Sequence, residues 1–457
     1  MLALAMLLGG CAGLPAPTEV PVTLPERFKH TEGWLAAAAV APAQLAPGPW
    51  WQVYGDPMLD RLLRDVAAAN PDLAQAAARA RQAQALVSAT GAGARPQLGV
   101  SAAATRSGAS NDSASSRFSA GLQIAWAPDL WGRTALAQGA AQAEADASLA
   151  DRDAVRLVLQ LGAAEYYVRL RSLDLHQALL RQTLVAYQRS LDLTRNQYDA
   201  GLVARADVIQ AETQLQAVRT QIVASQRQQA LAYNALAELT GRTPDQLVLA
   251  QAAADLPALP AIPSAVPSAL LVRRPDLAAA QQRLAAANAR IGVARTAWLP
   301  DLSLGAGAGL QGATLSQWLQ APIRVWSFGP ALAAALLDGG ARAAALEQAE
   351  AGYELVSQAW RGAVLQAVRE TEDALASLAL LDEQVEQQAQ LVRLAQENLR
   401  VVNNRYEAGV VSFLEVATAQ NLALNSERSA LDVQTERLLA SMQLVAALGG
   451  GWDGLQP

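Results

Sequence analysis

Cysteine, histidine and phenylalanine are nearly absent from this 457-residue chain, which holds one cysteine, Cys11, two histidines, His30 and His176, and four phenylalanines. A lone cysteine forms no internal disulfide, and neither histidine has the sequence neighbours that a metal site or a nucleophile with its base requires. No catalytic residue, metal or cofactor is expected, and no reaction. Charge is also scarce, 17% of residues with a net value of −6, and no basic run is present, so nucleic acid is set aside as a partner. No stretch reaches the roughly 20 consecutive apolar residues of a transmembrane helix, so any passage through a bilayer has to use strands. What fills the chain is small and apolar: 52% hydrophobic residues, many of them alanine, a composition suited to long, closely packed helices.

The first residues suggest a destination. Leu2 to Gly10 is a short apolar stretch ending in Leu8-Gly9-Gly10-Cys11, which resembles a lipobox: small residues admit a signal peptidase and the thiol takes a diacylglyceryl group. The expectation is a leader over 1–10 and a mature N-terminus at Cys11, carrying N-acyl and S-diacylglycerol lipid. The small Ala12 that follows is compatible with passage to an outer membrane.

The chain then repeats itself. Asn70-Pro71-Asp72-Leu73 returns as Arg274-Pro275-Asp276-Leu277, and Arg95-Pro96 returns as Leu299-Pro300, both 204 positions on. Tyr198-Asp199-Ala200-Gly201 returns as Tyr406-Glu407-Ala408-Gly409, displaced by 208, so a loop differs by four residues. Pro257, Pro260, Pro263 and Pro267 mark an extended linker between the copies.

Each copy contains a helix, a strand pair, a very long helix and a return helix. After Pro96, Leu98, Val100, Ala102 and Ala104 alternate with Gln97, Gly99, Ser101, Ala103 and Thr105. Beyond a serine-rich loop over Arg106 to Ser116, Phe118, Ala120, Leu122, Ile124 and Trp126 alternate with Arg117, Ser119, Gly121, Gln123 and Ala125. This period of two predicts a hairpin. The second copy alternates Leu302, Leu304, Ala306, Ala308 and Leu310, then Trp326, Phe328, Leu332, Ala334 and Leu336. A soluble half-buried sheet shows the same alternation. Two features favour lipid: apolar faces without charge along their whole length, and Trp126 and Trp326 where an interfacial girdle would lie. Pro330 counts against a regular barrel wall, because it lacks a ladder donor. Four strands do not close a barrel, and an open edge in hydrocarbon leaves backbone groups unpaired, so at least two copies have to pool their strands.

The long helices carry a coiled-coil seam. Tyr166, Leu170, Leu173, Gln177, Leu180, Leu184, Tyr187, Leu191, Thr194 and Tyr198 step by four and three. The same steps recur 208 residues later at Ala374, Leu378, Leu381, Val385, Gln388, Val392, Ala395, Leu399, Val402 and Tyr406. No proline interrupts Thr134 to Asp199, which as one helix would be about 100 Å long.

The run Leu271-Val272-Arg273-Arg274-Pro275-Asp276-Leu277, continuing through Ala287-Asn288-Ala289-Arg290-Ile291-Gly292 to Trp298-Leu299-Pro300, resembles the outer membrane factor family, the TolC-like exit ducts. The likeness is greatest to its lipoprotein branch serving resistance-nodulation-division pumps. Trp50-Trp51, Gly55-Asp56-Pro57, Pro128-Asp129-Leu130-Trp131-Gly132-Arg133, Asp338-Gly339-Gly340 and both Tyr-x-Ala-Gly turns extend it over nearly the whole chain. The resemblance implies an α+β membrane protein: a homotrimer with a 12-stranded transmembrane β-barrel, four strands per chain, continuous with a periplasmic α-helical coiled-coil barrel. It implies a passive duct in the outer membrane of a Gram-negative bacterium, fed by a periplasmic adaptor and an inner-membrane transporter. A type I protein-secretion duct and a non-conducting lipoprotein scaffold remain as alternatives.

The expected organisation is the leader over 1–10, a lipidated equatorial segment over 11–58, a first repeat over 59–241 with its hairpin at 97–126, a linker over 242–275, a second repeat over 276–449 with its hairpin at 301–336, and a tail over 450–457. By resemblance, Gly201, Leu202, Val203, Gly409, Val410, Val411 and Ser412 form the tip that meets the adaptor. Leu414, Glu415 and Thr418, with Asp207 as the first-half equivalent of Glu415, narrow the periplasmic aperture, and Thr418 stands where relatives commonly carry an acid.

Overall fold

The structure, a computed structural model of the chain, describes residues 28–29, 48–108, 114–249, 255–260 and 273–451. Cys11 and its leader, His30, Pro263, Pro267 and residues 452–457 of the tail lie outside the described residues.

A 3-10 turn, Trp50–Tyr54, precedes α1 (Pro57–Ala69) and α2 (Pro71–Ala92). The strands β1 (Gln97–Ser107) and β2 (Ser115–Trp126) follow, then α3 (Arg133–Asp199) and α4 (Arg205–Leu239). The second half runs α5 (Pro275–Thr296), β3 (Asp301–Gly312), α6 (Leu315–Gln320), β4 (Ile323–Ala333), α7 (Ala341–Glu407) and α8 (Phe413–Ala447). The halves match in length: α2 and α5 have 22 residues each, α3 and α7 have 67, and α4 and α8 have 35. The offset is 204 from β1 to β3 and 208 from β2 to β4, so the four extra residues lie in the second hairpin's loop. That loop folds into α6, a helix not expected from the pattern, capped by the Thr314 hydroxyl, which accepts from Gln317 N at 3.2 Å.

Helix starts follow from capping side chains next to proline or glycine. Asp56 accepts from Met58 N and Leu59 N at 2.8 and 3.1 Å ahead of Pro57, and Asn70 accepts from Asp72 N and Leu73 N at 2.8 and 3.1 Å ahead of Pro71. Asp129 accepts from Thr134 N and Ala135 N at the head of α3, and Asp338 from Gly340 N and Arg342 N at the head of α7.

Two compact units arise, and each gathers pieces of both repeats. The first takes residues 77–150 and 278–363 and contains the sheet; α3 and α7 each run on from it into the second. The sheet is antiparallel in the order β1-β2-β3-β4. Its register aligns the alternation of all four strands: Val100 pairs with Leu122, Leu122 with Ala308 and Ala308 with Trp326, while Leu98, Ile124, Ala306 and Phe328 form the next such row. One face is therefore apolar, with Val100 81% and Trp326 82% exposed. The other face carries Gly99, Gln123, Gly307 and Ser327 in one row and Ser101, Gly121, Gly309 and Val325 in another. Glycine is required at Gly309, where a Cβ would stand 2.7 Å from the Ala120 carbonyl oxygen.

Two expectations about the strands are corrected. β4 ends at Ala333, leaving Ala334 and Leu336 outside it, and its Pro330, paired with Leu304, sits on an edge strand, where a missing donor is tolerated. The apolar face is not free of charge along its length. β1 continues through Arg106, expected in the loop, and β4 includes Arg324, and both share the even-numbered apolar positions of their strands. Trp126 is partly covered, its indole N–H donating to the Ala94 carbonyl at 2.9 Å.

The second unit takes the described parts of 23–76, 151–277 and 364–451. Its core packs Trp50, Trp51 and Tyr54, in edge-on contacts at 5.9 and 6.4 Å, with Leu59, Leu63, Leu236, Leu375, Leu444 and Leu448. Polar groups anchor these aromatics: Trp51 donates to Asp60 at 2.9 Å, Tyr167 to Asp56 at 2.8 Å, and the Tyr54 hydroxyl meets Ser441 at 3.0 Å. Most of the expected seam is buried, but Tyr166 and Tyr198 are exposed, and Tyr167 is buried in place of Tyr166.

Candidate functional site at the two helix reversals

Both long helices of the second unit end in the same motif. Gly201 N bonds Tyr198 O and Leu202 N bonds Gln197 O, each at 2.9 Å; Gly409 N bonds Tyr406 O and Val410 N bonds Arg405 O, each at 2.9 Å. The glycines have φ of 73° and 74°, the left-handed conformation that ends a helix at least cost when no Cβ is present. The chain reverses over Leu202 and Val203 into α4, and over Val410, Val411 and Ser412 into α8. Leu202 and Val410 are exposed at 75% and 65%, while Val411 packs on the apolar cluster beneath, which includes Leu191, Leu215, Phe413 and Val416.

The aperture residues separate into two groups. Leu414, Glu415 and Thr418 are exposed on the first turns of α8, and the Thr418 hydroxyl is satisfied by its own helix, donating to Leu414 O at 2.8 Å. Among the described residues no ion pair holds Glu415. Asp207 reaches back instead, its carboxylate accepting from Ala204 N at 3.1 Å at the start of α4. It also lies near Tyr406, a buried residue whose hydroxyl is 3.1 Å from the Thr194 hydroxyl and whose ring meets Phe413 edge-on at 5.7 Å. Burial raises the Tyr406 phenol above its ordinary pKa, the Thr194 hydrogen bond opposes the rise, and the Asp207 carboxylate adds to it. On the first helix pair, Arg195 and Glu212 form an ion pair at 2.5 Å. The Tyr406–Thr194 and Arg195–Glu212 pairs were not foreseen, because no sequence pattern links α3 to partners on α7 and α4.

An exposed apolar face on an unclosed four-stranded sheet, together with two long helix pairs reversing at glycine, is the architecture of the outer-membrane channel proteins built from strands and helices. The outer membrane efflux protein family model matches residues 62–242 and 266–450, covering both repeats, and the chain belongs to that family. It is 32% identical to the pyoverdine export outer membrane protein OpmQ of Pseudomonas aeruginosa, over 99% of this chain and 96% of that protein. It is 29% identical to the cation efflux system protein CusC of Escherichia coli, over 98% and 97%. Among solved structures, the outer-membrane channel OprN superposes with a TM-score of 0.89 at 28% identity, covering 97% of this chain and 100% of that one. The open state of the MtrE outer membrane channel of Neisseria gonorrhoeae gives 0.86 at 26%, covering 98% and 100%.

Proposed function

We propose that three copies of this chain form the passive exit duct of a tripartite efflux pump, spanning the outer membrane of a Gram-negative bacterium and reaching into the periplasm. The observation that carries this reading is the sheet: β1 and β4 are its two edges and do not pair with each other, while one face is apolar from strand to strand. In hydrocarbon every backbone donor and acceptor needs a partner, so β4 of one copy takes β1 of the next, and three copies close twelve strands. The glycine-rich opposite face then lines the lumen.

Cys11 is the proposed anchor, bearing N-acyl and S-diacylglycerol lipid in the outer membrane. The reversal residues Gly201, Leu202, Val203, Gly409, Val410, Val411 and Ser412 meet a periplasmic adaptor, and an inner-membrane transporter supplies the energy. Leu414, Glu415 and Thr418 surround the periplasmic aperture, with Asp207 at the matching place in the first half. Three Glu415 carboxylates around an axis attract cations, and opening moves helices apart. Relatives of similar identity are named for pyoverdine export, toluene efflux and cation efflux. So varied a set supports leaving the choice of cargo to the transporter.

The test is single-channel recording in planar bilayers with the purified mature chain, alongside its mass in detergent. A trimer with stable conductance is expected. A water-soluble monomer that makes no pore would overturn the duct and leave a scaffold.

A further inference from the structure

The two arginines that interrupt the apolar face are placed alike. Every other even-numbered position on the four strands is uncharged: Leu98, Val100, Ala102 and Ala104 on β1; Ser116 through Trp126 on β2; Leu302 through Gly312 on β3; Trp326, Phe328, Pro330 and Leu332 on β4. Arg106 and Arg324 are both exposed, and among the described residues neither makes an ion pair. They occupy the two edge strands, β1 and β4. Arg106 lies nine residues from Gln97, the helix-side end of β1, and Arg324 lies nine residues from Ala333, the helix-side end of β4.

Nine residues at about 3.3 Å, tilted about 40°, rise about 23 Å, close to the height of about 25 Å of the apolar band on a membrane barrel. Both guanidinium groups therefore emerge where the hydrocarbon of the far leaflet gives way to headgroups. Within one chain the two are three strands apart. In the closed trimer, on which this inference rests, β4 of one copy lies beside β1 of the next, and the equal nine-residue offsets bring Arg324 and its neighbour's Arg106 to one level.

The geometry points to a lipid site at each subunit seam, in which Arg106 and Arg324 from adjacent chains bind the phosphate of an anionic headgroup in the outer leaflet. Planar guanidinium groups match phosphate oxygens with paired hydrogen bonds, and the interfacial setting strengthens them relative to water. The acyl chains would lie on the exposed band of Val100, Leu98, Trp326 and Phe328. Arg117, paired with Thr105 on the opposite face, is the internal control: it has the same charge near the same end of the sheet but points away from lipid.

The experiment uses the full-length purified trimer, lipid A as the probe, and a dephosphorylated form of the same lipid. Binding is read by native mass spectrometry, with conductance recorded on the same samples. The Arg106→Gln/Arg324→Gln double variant is expected to bind phosphorylated lipid A about 30-fold more weakly than wild type. Arg117→Gln should bind like wild type, and the dephosphorylated lipid should not distinguish any of the proteins. Each single variant should lose about 5-fold, because the remaining guanidinium still holds the headgroup. Equal binding by the double variant, indifference to the phosphates, or a loss confined to one of the two arginines would each overturn the seam site. If the wild type makes no trimeric pore, the duct reading fails first; if pores form and binding is unchanged, only the lipid site fails.

Discussion

The two halves of the chain solve one closure problem with different side chains. In the first half, the Asn70 amide donates to Leu239 O at 2.9 Å, tying the start of α2 to the end of α4. In the second half, the equivalent Arg274 donates to Ala447 O at 3.2 Å, at the end of α8. Arg274 is buried, and it also pairs with Asp276 at 2.7 Å and Glu370 at 2.9 Å. Beside each tie a glycine with positive φ passes over a carbonyl. A Cβ on Gly241 would stand 2.2 Å from Ala69 O, and one on Gly449 would stand 1.9 Å from Arg273 O. What the repeat preserves is a backbone approach; the side chain bridging it is free to be a neutral amide or a guanidinium with two carboxylates.

The most damaging change should be one that attacks the shared approach. Gly449→Ala and Gly241→Ala each force a Cβ into a carbonyl and a left-handed φ on alanine, and each should cost about 3 kcal/mol or more in denaturant unfolding. Near-wild-type stability in either would break the equivalence of the halves.

The side-chain bridges should be unequal. Arg274→Ala removes a buried guanidinium with its bonds to Ala447 O, Asp276 and Glu370, and because both carboxylates keep contact with solvent the expected loss is about 2–3 kcal/mol. Asn70→Ala removes a cap and a single hydrogen bond, at about 1–2 kcal/mol. If thermal unfolding ranks them the other way, the charged bridge is not the stronger one.

The tips sharpen the comparison further. Asp207→Ala loses its bond to Ala204 N and should lower stability by about 0.5–1 kcal/mol. Glu415→Ala should leave stability unchanged and lower cation selectivity in planar bilayers. Unchanged selectivity would remove Glu415 from the constriction.

The smallest effect is confined to alkali. Burial pushes the Tyr187 phenol up to about 12, with the Glu427 carboxylate adding to the rise, and among the described residues its hydroxyl has no hydrogen-bond partner. The raised value favours the protonated folded state, so this contribution is complete below about pH 10, the unfolded phenol's range, and is lost as pH climbs towards 12. Tyr187→Phe should match wild type near pH 7 and lose less stability across that window. An identical pH profile for the two proteins would contradict this assignment.

Much of this was legible beforehand, and for definable reasons. Period-two alternation is local, so Leu98 to Ala104 and Phe118 to Trp126 announced a hairpin; Gly201 and Gly409 announced reversals because each follows a long proline-free helical stretch. Strand ends were less legible. Arg106 reads as loop next to a serine-rich turn, yet cross-strand bonds with β2 carry β1 past it to Ser107, and that single extension puts a guanidinium at an even-numbered position of the apolar face. Tyr198 and Tyr406 occupy equivalent positions, and nothing in the repeat says that one is exposed while the other bonds Thr194.

The amino-acid order by itself determined the repeat, the two hairpins, the equal long helices and the glycine turns, because each depends on interactions between residues near one another along the chain. Tertiary structure alone decided that Gly241 and Gly449 lie against carbonyls over 170 residues away, that Asn70 and Arg274 play one part, and that Arg106 and Arg324 share the apolar side of the sheet, each nine residues from the helix-side end of its strand. Those facts depend on register and packing between distant segments, where a shift of one residue would reverse the face or open the contact.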